Sequence, residues 1–272
     1  MPARQPAGSR RYELRRKKLS WFIAAKCPVD AETKEWIEDS FNWLIDELSA
    51  ETLLANEVVL PTPAYFPDPI TGKPRDVRRF LERVCGYMDI DPKEVELGVY
   101  SKALAEQAGR PVPEQTGHPQ FLYKKQKGKY VLRLEAAQAA KAETLVAAIA
   151  HELGHTILIG ENRLDRSRTD HEEMTDLLTV FYGFGVFSAN AAFSLAQGRN
   201  AKYEGGPHLR AGYMTEEMYG YALALFVHAR GESKPKWTSH LHVNVRHYFK
   251  QGLKFLTKTG DTTVKRLAAE ES

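Results

Sequence analysis

The segment His151-Glu152-Leu153-Gly154-His155 follows Leu145-Val146-Ala147-Ala148-Ile149-Ala150, an apolar run that reads as the body of a buried helix. Helical residues four apart lie one turn apart on the same face. Both imidazoles therefore point the same way, in surroundings that are apolar on both sides of the motif. Burying two imidazoles there without partners is costly, and a cation that both can ligate removes the cost. A chain with this segment has to build an interior helix and bring further ligands up to it. In a tetrahedral Zn2+ site the glutamate between the two histidines falls beside the open coordination position. The spacing predicts His151 and His155 as metal ligands and Glu152 as a general base for water.

A catalytic zinc site takes three protein ligands and leaves a fourth position for water. Asp170-His171-Glu172-Glu173 opens the next predicted helix, over His171 to about Tyr182. Glu172 and Asp176 are four apart, so two like charges share one helix face, an arrangement that weakens a merely solvated helix. Something positive is expected beside them, which favours Glu172 as the third ligand over Glu173 or His171. Thr169 and Glu172 also match a capping box, in which Glu172 would only reach back to the backbone. Asp170 and Glu173 have the same spacing and can serve that purpose instead.

These residues resemble the gluzincin zinc metallopeptidases, the thermolysin-like clan. The likeness covers about Lys129 to Gly185 and rests on HELGH followed by Glu172-x-x-x-Asp176 on a second helix. Outside that region the chain resembles no characterised family, and as a whole it resembles bacterial proteins that carry the same motif. The resemblance implies zinc held by His151, His155 and Glu172, water activated by Glu152, and Asp176 hydrogen-bonded to a ligand histidine. It also implies a zincin-like helical core, a strand ahead of the first zinc helix that holds extended substrate, and a peptide or protein substrate. It leaves the oxyanion donor open among Tyr213, Tyr219, Tyr221, His228, His240 and His242.

Elsewhere the patterning supplies a scaffold. Trp36, Ile37, Phe41, Leu44, Ile45 and Leu48 recur at helical spacing, and a second helix is expected from about Arg75 to Met88. Pro61, Pro63, Pro67, Pro69 and Gly72 make the intervening segment a loop, with Tyr65 and Phe66 expected to pin it to the body. Val95 to Tyr100 alternates as a strand. Phe121 to Lys125 and Lys129 to Leu134 flank Gln126-Lys127-Gly128 and read as a hairpin. Beyond Ala139 the patterns are mostly helical, with further helices over Glu216 to Arg230 and near Val243 to Leu256. The expected fold is α+β: a small antiparallel sheet packed on a helical core formed by the HExxH helix and the glutamate-bearing helix. One domain over residues 27–258 is expected, with a basic arm at 1–26 and a tail at 259–272.

Lys and Arg number 38 against 35 Asp and Glu, a formal charge of +3. That balance gives no whole-domain attraction for nucleic acid or an anionic membrane, so any basic patch has to be local. Two such patches stand out: the arm, with eight Lys and Arg against Glu13, and Arg246, Lys250, Lys254 and Lys258 at helical spacing. Cys27 and Cys85 cannot build a disulfide framework, and no apolar run is long enough for a membrane span or a signal-peptide core. A cytoplasmic zinc hydrolase is the leading expectation. Its rivals are a zinc-stabilised binding or regulatory module without turnover, and a hydrolase of a non-peptide amide.

Overall fold

A computed structural model describes residues 25–70, 73–100, 128–135, 141–165, 167–198 and 213–267. Among them are eight α-helices: α1 Ala31–Leu48, α2 Ala50–Ala55, α3 Pro74–Tyr87, α4 Ala142–His155, α5 His171–Phe181, α6 Gly185–Gly198, α7 Glu216–Ala229 and α8 Val243–Thr259. Two strands accompany them, β1 Val95–Tyr100 and β2 Tyr130–Glu135.

The helices sort into layers by how their apolar residues are distributed. α5 is buried at every position, and α7 is buried from Met218 to Val227. α7 is apolar nearly all round and belongs in the interior, as α5 does despite six polar side chains, whereas helices with one apolar stripe cover it. α1 is of the second kind. It begins at Asp30, whose carboxylate accepts from the Thr33 N–H, and it buries Ile37, Phe41 and Leu44 completely. α3 starts with Pro74 at its first turn, where a missing N–H does no harm. The proline-rich loop ahead of α3 is pinned as its aromatics suggest: Phe66 stacks on Phe80 at 5.2 Å and meets Phe187 edge-on at 5.5 Å.

The sheet corrects the expected fold class. β1 and β2 pair in parallel, in register from Val95 with Tyr130 to Tyr100 with Glu135. The described chain is therefore mostly helical with one two-stranded parallel ladder, not an antiparallel sheet on a helical core. The alternation of apolar residues fixes which face of a strand is buried and says nothing about the direction of its partner. Tyr130 and Leu132 are buried in β2 as Val95 is in β1, so β1 offers a matching face. The stretch between the strands is longer than the dozen or so residues a parallel crossover needs. Residues 121–125, the other half of the expected hairpin, lie outside the described residues.

The segment from Gly183 to Ala196, too short and too polar for a membrane span, contains most of α6. Among the described residues, no helix is long and apolar enough to cross a membrane. Residues 260–267 run back over the body, with Val264 buried and the Leu267 N–H donating to Ala229 O.

Candidate metal centre

α4 carries the motif into the interior, and α5 crosses it at Gly154. A Cβ at Gly154 would lie 2.9 Å from Thr175 Cγ2. Glycine costs about 1 kcal/mol against alanine inside a helix, and here it lets the two backbones approach closely enough to share a polar cluster. Directly after His155 the helix widens into a π turn, Thr156–Gly160, with the Thr156 hydroxyl donating to Leu153 O.

Three side chains converge between the helices. His151 Nε2 lies 3.1 Å from His155 Nε2 and 3.0 Å from Glu172 Oε2, and His155 Nε2 lies 3.4 Å from that same oxygen. Ligands about 2.0 to 2.2 Å from a tetrahedral zinc are separated from one another by about 3.3 Å. The three atoms have the spacing of one face of such a tetrahedron. Among the described residues, this is the one group of three or more His, Cys, Asp or Glu side chains gathered closely enough to hold a metal ion.

The outer ring nitrogens fix the tautomers. His151 Nδ1–H donates to Asp176 Oδ1 at 2.8 Å, and Asp176 Oδ2 accepts from the Met214 N–H at 3.0 Å. On the other ring, the Thr175 hydroxyl donates its one proton to His171 O at 2.7 Å. Its oxygen, 3.0 Å from His155 Nδ1, can then only accept, so that nitrogen carries the proton. Both inner nitrogens face the cluster, as the atoms through which a metal ion could be held. Thr175 and the Met214 amide carry no signal in the sequence that separates them from ordinary helix and loop residues.

The charges of the cluster are set by its hydrogen bonds. Burial opposes charge on His151, but hydrogen bonds to Asp176 and Glu172 outweigh it and push its pKa up to about 10. Burial likewise opposes ionisation of Glu172, and the His155 and His151 rings beside it hold its carboxyl well below the usual carboxylate range. Tautomers, spacing and acceptor chemistry all fit a divalent cation.

The remaining candidates fall in different places. Glu152 is half-buried, and its Oε2 atom is buried with no hydrogen-bond partner among the described residues. Glu173, buried at 2% exposure, does not join the three. Burial and the carboxylates of Asp176, Asp170 and Glu172 push its pKa up to about 7. His171 sits beside the cluster, its ring 6.1 Å from that of His155. Asp170 caps α5 without a side-chain bond to the helix; it accepts instead from Trp36 Nε1 and from Arg168. Glu172 faces the histidines rather than serving as a cap.

Of the six oxyanion candidates, Tyr213 is brought against the cluster, its ring centroid 5.5 Å from that of His151. Tyr221 donates to Glu38 on α1. Tyr219 is buried within α7, and His228 lies near Val264 and Arg266. The His240 carbonyl and the His242 amide are both bonded to the Asn190 side chain.

Comparison of the chain with protein-family models, with curated proteins and with solved structures gave no match.

Proposed function

We propose that the chain is a zinc-dependent hydrolase that cleaves peptide bonds, in the manner of the gluzincin metallopeptidases that its motif resembles. The observation that carries this reading is the convergence of His151 Nε2, His155 Nε2 and Glu172 Oε2 at tetrahedral spacing, with both outer ring nitrogens already committed. Zinc bound there would supply a Lewis acid that polarises a substrate carbonyl and acidifies water. Glu152 takes the proton from the attacking water and passes it to the leaving nitrogen, and its unpaired buried oxygen suits that task. Asp176 and Thr175 hold the two rings in ligating tautomers, as outer hydrogen-bond partners do at metal sites. Tyr213, the candidate whose ring lies 5.5 Å from that of His151, would steady the developing oxyanion. Two free cysteines, Cys27 and Cys85, suit a reducing, cytoplasmic setting.

The depth of the ligands favours one second reading. His155 is 1% exposed and Glu172 5%, which also suits a metal that only braces α4 against α5. Glu152→Gln separates the two, because glutamine keeps the shape and loses the base. The hydrolase reading expects zinc content and thermal midpoint to stay unchanged while cleavage of a broad peptide library falls about a hundredfold to ten-thousandfold. Equal cleavage by both forms removes Glu152 as the base. Zinc bound with no cleavage of any peptide by the wild-type chain favours the bracing or non-peptide readings.

A further inference from the structure

α8 has no acidic residue along its 17 positions and carries Arg246, Lys250, Lys254 and Lys258. At about 100° per residue, these four and His247 fall within a sector of about 120°. That sector lies opposite Val245, Phe249, Gly252, Phe255 and Leu256, the buried stripe by which α8 packs on the body. His247, Lys250, Lys254 and Lys258 are exposed and Arg246 is half-buried. Glu216 and Glu217, at the start of α7, meet Asn244 and Tyr248 on the flank of α8. Among the described residues, none of the four cations lies within ion-pair distance of a carboxylate.

The end of the other basic stretch, Lys26, meets this helix. Gln251, which borders the sector next to His247 and Lys258, donates to the Lys26 and Cys27 carbonyls, both at 3.2 Å. The sequence ahead of Ala25 carries seven Lys and Arg and a single acid, Glu13. Lys26, the last residue of the basic stretch, thus lies against the same helix.

We propose that the outward face of α8 is a docking surface for the phosphodiester backbone of nucleic acid. Cations four residues apart rise about 6 Å per step, and Arg246 to Lys258 spans about 18 Å while turning about 120° round the helix, a gently winding row of charges for successive phosphates. A helix that lies in a membrane surface turns large apolar side chains toward the lipid. α8 turns its apolar stripe into the protein instead, and Val243, 74% exposed, is the large apolar residue left on the outer face. The surface reads no sequence: it has the charge to hold a backbone and no base-reading element is invoked.

The test uses the full-length zinc-loaded chain, fluorescein-labelled 20-nucleotide single-stranded and 20-base-pair DNA of mixed sequence, and phosphatidylserine vesicles. Four phosphate contacts predict a slope of about −3.6 in log K against log salt for the duplex and about −2.8 for the single strand. Between 50 and 200 mM salt the affinity should fall about 150-fold and about 50-fold, respectively. Lys250→Glu with Lys254→Glu should halve the slope and weaken binding at 50 mM salt by at least about tenfold. Both positions are exposed, so thermal midpoint and zinc content should not change. Lys250→Gln with Lys254→Gln is the milder pair and should fall between. The proposal is overturned if neither oligonucleotide binds at 50 mM salt. It is equally overturned if the Glu pair binds as the wild type does, or if the chain binds vesicles and not DNA.

Discussion

Glu38 and Glu172 are both carboxylates buried in helices, 1% and 5% exposed, and their surroundings follow opposite rules. Around Glu38 every neighbour is a donor. Tyr221 O–H reaches Oε1 at 2.5 Å, the Thr263 N–H reaches Oε2 at 3.0 Å, and Lys34 Nζ lies 3.1 Å from Oε1. Burial opposes the charge, and those donors still hold the Glu38 carboxyl below its ordinary pKa. Around Glu172 the neighbours are two imidazole nitrogens whose outer partners leave them as acceptors. The first cluster is complete in the chain alone and joins α1, α7 and the residues after α8. The second is short of a positive charge when both rings are neutral, and that separates a candidate site from a structural cross-link of similar composition. A buried polar network lacking one member costs far more than a satisfied one, so each cluster should fail in its own way.

The largest separation is expected from truncating each glutamate. Glu172→Ala should lower zinc affinity by more than about a hundredfold, beyond what loss of an outer hydrogen-bond partner does, whereas Glu173→Ala should leave zinc bound. Glu38→Ala should leave zinc affinity unchanged and cost about 3 to 5 kcal/mol of stability, the range for removing one member of a buried ion pair. Competition with a chromophoric chelator and urea denaturation read the two effects. Loss of zinc in Glu38→Ala, or its retention in Glu172→Ala, breaks the distinction.

Glu173 sharpens it through pH. Its pKa rises on folding from 4.5 to about 7, so its contribution to stability is complete below pH 4.5 and is lost as pH rises through about 7. Glu38, with its pKa depressed, has the opposite sign: its contribution is present above the ordinary carboxylate range and is lost as pH falls through its folded value. Glu173→Gln should match the wild type at pH 4 and exceed it by up to ~3 kcal/mol at pH 8. A constant difference between the two forms across that range would contradict the assignment.

Smaller effects are expected at the outer partners of the rings. Asp176→Asn and Thr175→Val should each lower zinc affinity about tenfold to a hundredfold. Thr175→Ser, which keeps the hydroxyl, should restore it. If Val and Ser behave alike, Thr175 fills space and does not orient His155.

The sequence made the site legible because helical spacing alone places His151, His155, Glu172 and Asp176 on two facing stripes. It could not show Thr175 or the Met214 amide, which act through ordinary groups at positions set by how α5 and the loop before α7 pack. Tyr221 looked like a candidate for catalysis for the same reason: its partner Glu38 lies 183 positions away, and nothing local announces the pair. The sheet was misread because alternation carries no strand direction. α6 was not foreseen as a helix because a segment apolar on all sides has little periodicity to read.

Titration of the metal-free chain with zinc at pH 7.5, in two buffers of different ionisation enthalpy, tests the central claim most directly. His151 holds a proton in the metal-free chain, with a pKa of about 10, and has to give it up to become a ligand. The account predicts saturation at about one zinc per chain, with about one proton released for each zinc bound. Absence of binding, or binding without proton release, would contradict it.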